Sequence, residues 1–286
     1  MRCIARLALL STFLGLPAAS SAGPESQAFP HGTISLVAEN TWIQPGHDFT
    51  LALHFSLDNG WHTYWVNPGD SGQPARVTWE LPPGITSDPM QWPAPEQLGT
   101  PAIVDYGYKR EVTLLVPMHA STDVITDRAV TITAKINVLV CKEVCIPGKT
   151  QVTLSVPGKK QAPPRGEAQQ ALFDQARARL PKQLPADWKF TAKDQGDSFI
   201  LSAAVGKRVT RAYFYPLEES QIKNVPEQPI TPKPGGFQVE LRKSDQLTKT
   251  VPRLRGVLQL DDGGAYLVDA VVARSGSAKS TARPAG

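Results

Sequence analysis

Residues 130–156 read VTITAKINVLVCKEVCIPGKTQVTLSV, and this stretch decides the fold. Apolar and polar side chains alternate from Val130 to Val138 and again from Val152 to Val156. Successive side chains of a β-strand point to opposite faces, so strict alternation predicts two strands, each with one buried face. The cysteine segment, residues 140–149, lies between these two strands. We therefore predict that both cysteines belong to the connection of a β-hairpin.

The same alternation continues toward the N-terminus. It runs from Phe49 to Leu57 and is followed by Asn59-Gly60, a strong signal for a tight turn. Turn residues separate these segments at the spacing typical of a β-sandwich. Residues 24–157 are therefore predicted to form one antiparallel β-sandwich of about seven strands, with shorter strands at 33–37, 77–81 and 112–116.

A linker and a helix are predicted directly after residue 157. Residues 158–185 combine a linker rich in proline with the one convincing helix signal, Glu167 to Leu180, which Pro181 ends. The expected apolar face of this helix carries Ala171, Leu172, Ala176 and Leu180. We expect it to pack against one domain or to bridge two.

A second region of alternation covers residues 186–273, with Asp262-Gly263-Gly264 as the expected turn of a hairpin. The tail at 274–286 is small, polar and basic, which predicts disorder. The expected fold class is therefore mainly β: two β-sandwich domains joined by a linker with one short helix.

Residues 1–22 are typical of a cleavable signal peptide. Arg2 and Arg6 precede an apolar run from Leu7 to Leu16, and small residues end at Ala22. The run is too short for a membrane anchor, and no later stretch reaches the roughly 20 apolar residues of a membrane span. We expect a mature protein that is free in an extracytoplasmic space.

The charge of the chain is nearly balanced. The formal net charge of +4 falls to +2 when Arg2 and Arg6 are lost with the signal peptide. So small and evenly spread a charge argues against nucleic acid or membrane lipid as a partner.

Cys3 lies in the expected signal peptide and is lost with it, which leaves Cys141 and Cys145. This pair allows three interpretations. In an oxidising compartment they indicate first a disulfide, which requires Cα atoms within about 4.4 to 6.8 Å. Four extended residues span about 13 Å, so the chain must turn between Cys141 and Cys145. Closing so short a loop adds little stability, and short, exposed disulfides tend to be easily reduced. A structural disulfide, a redox-active pair and a metal site all remain open.

A metal site has the weakest support of the three. No second Cys or His pair lies near Cys141 and Cys145, so a four-ligand zinc set is not visible. Copper(I) needs fewer soft ligands, and Met90 or Met118 could supply them. The histidines, spaced singly, form no metal-ligand motif, and we expect neither a bound metal nor a cofactor.

Two other segments have simple structural interpretations. Residues 69–72 match the nucleophile motif of chymotrypsin-like proteases, but Asn67-Pro68-Gly69-Asp70 is better interpreted as a turn. Trp61, Tyr64 and Trp65 are interpreted as core and rim residues at the end of a strand. No glycine-rich phosphate loop follows a strand, so nucleotide chemistry has no support.

Several motifs occur in a fixed order along the chain. In the first domain these are NGWHTYW at 59–65, NPGDSG at 67–72, QWPAP at 91–95, YGY at 106–108 and VCKEVCIP at 140–147. In the second region they are AYFYP at 212–216 and GVLQLD at 256–261. Together they resemble, in order, the N-terminal periplasmic region of the DsbD/ScsB family of transmembrane thiol–disulfide reductases.

The resemblance implies an immunoglobulin-like first domain in the periplasm whose cysteine pair cycles between dithiol and disulfide. It implies that Cys145 forms the mixed disulfide and that Cys141 is its resolving partner. Family members shield the pair with an aromatic cap loop, for which Gln91 to Pro95, with Trp92 as the lid, is the candidate here. The implied activity is that of a thiol:disulfide oxidoreductase.

This sequence departs from the family pattern in three ways. The typical Asp-x-Phe-Tyr cap is absent, as are the multi-span membrane domain and the Cys-x-x-Cys thioredoxin domain. The expected partners are therefore a separate thioredoxin-like or membrane thiol–disulfide reductase, which supplies electrons, and periplasmic substrate proteins, which receive them. A non-redox binding or assembly module with a structural disulfide is the alternative, and copper(I) handling is a third.

Overall fold

The structure, a computed structural model, describes residues 25–124, 126, 128–161 and 167–273. The expected signal peptide at 1–22 and the expected disordered tail at 274–286 lie outside these residues. Within the described residues, no helix is long and apolar enough to cross a membrane.

The described residues form eighteen strands and one helix, so the chain is mainly β, as predicted. The first eleven strands are β1 (Ser26–Phe29), β2 (Gly32–Ala38), β3 (Asp48–Leu57), β4 (His62–Gly69), β5 (Arg76–Glu80), β6 (Ile85–Ser87), β7 (Glu96–Thr100), β8 (Ile103–Lys109), β9 (Glu111–Ala120), β10 (Ala129–Cys141) and β11 (Cys145–Pro157). Helix α1 (Glu167–Ala178) is followed by β12 (Lys189–Gln195), β13 (Ser198–Ala204), β14 (Ala212–Pro216), β15 (Ile230–Lys233), β16 (Gly236–Arg242), β17 (Arg253–Leu260) and β18 (Ala265–Ala273).

The first eleven strands form two sheets that share one apolar core. One sheet has the order β1-β2-β3-β9-β6, and the other has the order β11-β10-β4-β8-β7, with β5 paired to β10. The alternating apolar residues of β3 and β10 point into the space between the sheets, which is why these strands could be predicted. Fully buried members of the core include Leu53, Phe55, Ile132, Ile136 and Val140.

Strand β8 shows why the sequence predicted only about seven of these eleven strands. Val104 to Tyr108 are all buried, so β8 is covered on both faces, and Asp105 and Gly107 within it are residue types that are rare in strands. Strand β4 is similar, and it also carries a register shift against β8 between Tyr64 and Gly69. The turn expected at Asn67–Asp70 is therefore wrong, because β4 continues to Gly69.

The remaining strands form a second β region with its own core. The strand order is β14-β17-β18-β12-β13-β16-β15, and the β17–β18 hairpin turns at Asp262–Gly264, as expected. Apolar residues from both halves of this order meet in one cluster, which includes Phe199, Leu201, Phe214, Phe237 and Leu258. The division of the chain into domains at 24–157 and 186–273 remains our proposal.

Helix α1 packs on the outer face of the first sheet. Phe173 and Ala176 are buried there against Val37, Ala52 and Leu115. Ala171, which we expected on the buried face, is exposed, because the face is centred on Phe173 and Ala176, three residues apart. After the helix, Lys182 exchanges backbone hydrogen bonds with Ala265 and Leu267 of β18. The segment thus contacts both β regions.

The two β regions meet through aromatic side chains. Trp65 packs edge-on against Tyr215 at 6.3 Å between ring centroids, and Tyr106 packs against Tyr215 at 5.1 Å. The Tyr106 and Tyr213 hydroxyls lie 3.0 Å apart. Burial raises the pKa of all three tyrosines. Tyr215 and Val257, from the second region, are part of the first core.

Side chains protect the outer edge of β14. Gln228 Oε1 accepts a hydrogen bond from the Phe214 N–H at 2.7 Å, and Gln228 Nε2 donates to the Phe214 carbonyl at 2.9 Å. Pro216 has no N–H, and its carbonyl accepts a hydrogen bond from Asn67 Nδ2 at 2.8 Å. These contacts occupy backbone groups that an exposed edge strand offers to other chains.

We predict that Gln228→Met lowers the free energy of unfolding by about 2 to 4 kcal/mol. The reason is that the substitution leaves both the N–H and the carbonyl of Phe214 without a hydrogen-bond partner, and each buried unsatisfied group costs about 1 to 3 kcal/mol. Denaturant unfolding measures this loss. The exposed Gln246 provides the matched control, since Gln246→Met should change stability by less than about 0.5 kcal/mol. Equal effects of the two substitutions would contradict the edge-protection role of Gln228.

Candidate functional site

Backbone register brings the two cysteines together. Strands β10 and β11 pair in unbroken register from Ala129 opposite Pro157 to Cys141 opposite Cys145. The connection is Lys142–Val144, closed by a hydrogen bond from the Lys142 N–H to the Val144 carbonyl. The predicted hairpin is confirmed, but Cys141 and Cys145 are the last and first residues of its two strands and not part of the connection.

Cys141 and Cys145 form a disulfide, with their Cα atoms 4.1 Å apart. The two residues differ in access to solvent. Cys141 is 3% exposed, whereas Cys145 and the three loop residues before it are exposed. Val144, beside Cys145, is 63% exposed, which is unusual for a large apolar side chain. An external thiol can therefore approach the bond from the Cys145 side.

Tyr64 lies beneath the disulfide. Its hydroxyl donates a hydrogen bond to Cys141 Sγ at 2.8 Å and lies 3.6 Å from Cys145 Sγ. The Tyr64 side chain is 1% exposed, and burial raises its pKa. The hydroxyl is therefore a neutral hydrogen-bond donor at pH 7, held against the less accessible sulfur.

His62 is the other polar neighbour of Cys141. It lies directly opposite Cys141 in the β4–β10 pairing, and its ring is 5.3 Å from that of Tyr64. Burial lowers its pKa; Asp105 partly offsets this effect, and Lys109 adds to it. The imidazole is therefore largely neutral at pH 7.

The segment after β4 holds Tyr64 in place. A Cβ atom on Gly72, whose φ is +86°, would lie 2.2 Å from the Tyr64 ring, so the backbone packs directly on the ring. Ser71 anchors this segment, because its N–H and its hydroxyl each donate to Asp105 at 2.9 Å. Burial raises the pKa of the Asp105 carboxyl, and the hydrogen bonds from Ser71 oppose that effect.

The same segment also contacts the second β region. Asp70 accepts hydrogen bonds from the Val104 N–H and from Asn224 Nδ2, both at 2.8 Å. Asn224 in turn accepts a hydrogen bond from the Tyr106 hydroxyl at 2.8 Å. A residue of the second region thus fixes the segment that supports Tyr64.

The cap-loop candidate is tied to the first domain and to the segment that follows helix α1. The Gln91 N–H donates to the Leu115 carbonyl, the Ala94 N–H donates to the Arg179 carbonyl, and the Tyr108 hydroxyl donates to the Pro93 carbonyl. Trp92 is partly buried against the first core. Its role as a lid over the disulfide stays a prediction.

The structure places the two methionines suggested as copper(I) ligands in the core of the sandwich. Met118 is fully buried on β9, in the sheet that does not carry the cysteines, and Met90 is partly buried against the core. Among the described residues, no group of three or more His, Cys, Asp or Glu side chains is placed to hold a metal ion.

Sequence reasoning found the cysteines and missed the residues that surround them. Tyr64 and His62 are 77 and 79 positions away from Cys141, so only tertiary pairing shows the contact. One signal was present in the sequence. His62 and Tyr64, which follow the turn at Asn59-Gly60, are two residues apart, so their polar aromatic side chains lie on the same face of a strand. Ser71, Gly72 and Asp105 gave no comparable signal.

We predict that Gly72→Ala displaces Tyr64, because the new methyl group would overlap its ring. Gly206 is the matched control: its φ is +69°, but nothing lies within 4 Å of an added Cβ. Both substitutions carry the left-handed backbone cost of about 1 to 2 kcal/mol. Only Gly72→Ala should lose additional stability and change the near-UV circular dichroism. Indistinguishable variants would contradict the packing of Gly72 on Tyr64.

Comparisons with known proteins agree with this geometry. Residues 35–157 match the family model described as "Thiol:disulfide interchange protein DsbD, N-terminal". The crystal structure of the N-terminal periplasmic domain of ScsB from Proteus mirabilis matches with a TM-score of 0.65 at 19% identity, covering 87% of this chain and 98% of that chain. This likeness shows a shared fold that extends into the second β region.

Other solved structures are much less similar. The chaperone YadV covers 82% of this chain and 98% of its own at 12% identity, with a TM-score of 0.23. BcpA, the major pilin subunit of Bacillus cereus, covers 86% of this chain and 70% of its own at 10% identity, with a TM-score of 0.29. A search of curated proteins found no match. Residues 35–157, which carry the Cys141–Cys145 disulfide, are therefore similar to the N-terminal domain of DsbD-type thiol:disulfide interchange proteins.

Proposed function

We propose that this chain is a periplasmic thiol–disulfide exchange protein. It passes electrons from a separate thioredoxin-like or membrane reductase to periplasmic substrate proteins through Cys141 and Cys145. The family of the first domain supports exchange chemistry in the periplasm. The observation that carries the proposal is the unequal disulfide, with Cys145 exposed and Cys141 buried against the Tyr64 hydroxyl.

Reduction begins at the exposed sulfur. A thiolate of the electron donor attacks Cys145 Sγ, a bond forms between these two sulfurs, and the Cys141–Cys145 bond breaks. The electron pair leaves on Cys141 Sγ, where the Tyr64 hydroxyl is already in hydrogen-bond contact. A hydrogen bond to a thiolate is charge-assisted and stronger than one to a neutral disulfide sulfur. The donor's second thiolate then displaces Cys145 and leaves the dithiol.

Electrons leave by the reverse sequence. The Cys145 thiolate attacks a substrate disulfide, forming a mixed disulfide and releasing one substrate thiolate. Cys141 then attacks Cys145 Sγ, which re-forms the hairpin disulfide and releases the second substrate thiolate. Since the strand register holds both sulfurs within bonding range, the second attack is intramolecular and fast relative to release by an outside thiol.

The direct test is a redox titration of the folded protein in glutathione and dithiothreitol buffers, with free thiols counted by alkylation. The proposal predicts a reduction potential of roughly −180 to −270 mV, in the range of thioredoxin-like proteins. A structural disulfide should lie below about −300 mV. A bond that stays closed until the protein unfolds would reject exchange and leave a structural disulfide in a binding module.

Variants that keep only one of the two cysteines identify the partners. Cys141→Ala leaves the exposed Cys145 without its resolving partner, so mixed disulfides should accumulate in periplasmic extract. Cys145→Ala is the matched control and should trap few proteins, because the remaining thiol is buried.

We predict that Tyr64→Phe slows reduction of the disulfide by dithiothreitol about tenfold. The change removes the hydrogen bond that stabilises the departing Cys141 thiolate, and about 1.4 kcal/mol of that stabilisation corresponds to a factor of ten. Stopped-flow thiol assays at pH 7 measure the rate. Tyr213→Phe is the control, since this tyrosine hydrogen-bonds Tyr106 and Val225 and not the sulfurs. Equal rates for wild type and Tyr64→Phe would contradict the role of Tyr64.

A further inference from the structure

The half-buried imidazole of His62 has a nitrogen atom that is unpaired in the disulfide form. His62 Nε2 is buried and has no hydrogen-bond partner among the described residues. An unpaired buried polar atom costs free energy, so its retention calls for a physical reason.

The strand pairing places this atom's ring beside Cys141. Directly opposed residues of an antiparallel pair project to the same face, with Cβ atoms about 4.5 to 5.5 Å apart. His62 is opposite Cys141 on β10, and Tyr64, two residues along β4, is on the same face and already touches Cys141 Sγ. The side chains of His62, Tyr64 and Cys141 therefore form one cluster.

We propose that His62 is the proton acceptor for the Cys141 thiol when the dithiol re-forms its disulfide. This inference rests on the proposed exchange function and deepens it, since it assigns the proton that must leave the buried thiol. Tyr64 serves as a donor to Cys141 Sγ and does not accept this proton.

In the mixed disulfide with a substrate, the Cys141 S–H proton passes to His62 Nε2, and the sulfur electron pair attacks Cys145 Sγ. The Cys141–Cys145 bond forms, the bond from Cys145 to the substrate sulfur breaks, and the substrate leaves as a thiolate. The imidazolium then releases its proton to solvent. In the opposite direction, a protonated His62 returns the proton to the Cys141 thiolate.

Charged groups on every neighbouring strand bear on this proton transfer. Lys109 lies opposite His62 on β8 and disfavours the imidazolium, whereas the buried Asp105 on the same strand favours it. Tyr64 lies on β4 itself, and Cys141 faces from β10. Because burial lowers the pKa of His62, the ring is neutral at pH 7 and able to accept a proton.

The test uses Cys141 as a single thiol, in a Cys3→Ser, Cys145→Ser background. Because Cys141 is only 3% exposed, its thiolate fraction is followed by ultraviolet absorbance, which needs no external reagent, from pH 5 to 10. With His62 present, an imidazolium–thiolate pair should keep part of the thiol ionised below pH 8. In His62→Phe the thiol should titrate as an ordinary thiol, with a pKa near or above about 8.5, and its thiolate fraction should be at least tenfold lower at pH 6.5.

Two further variants separate proton transfer from packing. His62→Gln keeps a polar group without a titrating nitrogen, so its pH profile should follow that of His62→Phe. His54→Phe removes another partly buried histidine, one that hydrogen-bonds Thr113 on the other sheet, and should leave the profile unchanged. A profile that is the same with and without His62, or is restored by Gln, would overturn the proposal.

A measurement without substitution at His62 guards against loss of folding. NMR titration of the His62 ring in the oxidised and reduced wild-type protein should show a higher pKa after reduction, because a thiolate then lies beside the ring. An unchanged pKa would also overturn the proposal. Neither measurement needs an exchange partner, so coupling between His62 and Cys141 can be present even where the redox titration rejects the exchange function.

Discussion

The site depends on the register of the β10–β11 hairpin. Each strand has thirteen residues, and their pairing continues without a shift until Cys141 faces Cys145. A slip of one residue would turn every side chain of one strand to the opposite face. The apolar residues of β10 prevent such a slip, since they fill the core between the two sheets. The same packing that folds the sandwich therefore sets the geometry of the disulfide.

The position of β4 beside β10 makes the two sulfurs unequal. Strand β4 covers Cys141 with His62 and Tyr64, while Cys145 stays on the open side of the hairpin. The second β region stabilises this strand from the other side, through Asn67, Trp65 and the Asn224–Asp70 hydrogen bond. The second region is thus placed to act as a support for the redox site, which gives a cysteine-free region a physical role.

The sequence predicted those parts of the fold that bury one face. Alternation identified β3, β10 and β11, and the spacing of the cysteines identified the hairpin connection. It failed for β8 because both faces of this strand are buried and because Asp105 and Gly107 are residue types that are rare in strands. The predicted apolar face of α1 omitted Phe173, because that face was centred one position away from the side that packs on the sheet.

The surroundings of the disulfide could not be predicted from local patterns. Tyr64 reaches Cys141 across 77 positions of sequence, and Ser71 reaches Asp105 across 34. A motif resemblance placed these segments in order along the chain, but contact between them follows only from the pairing of β4 with β8 and β10. The expected turn at Asn67–Asp70 was wrong for a related reason. The residues at the end of β4 have the composition of a turn, but they form an irregular strand pairing that places Gly72 against the Tyr64 ring.

The most direct measurement asks which sulfur an external thiol joins. The folded protein is treated briefly with glutathione, quenched with acid and digested with trypsin. Because Lys142 lies between the cysteines, cleavage there separates Cys141 and Cys145 into different peptides. The account predicts a glutathione adduct on the Cys145 peptide and a free thiol on the Cys141 peptide. An adduct mainly on Cys141, with the free thiol on Cys145, would contradict it.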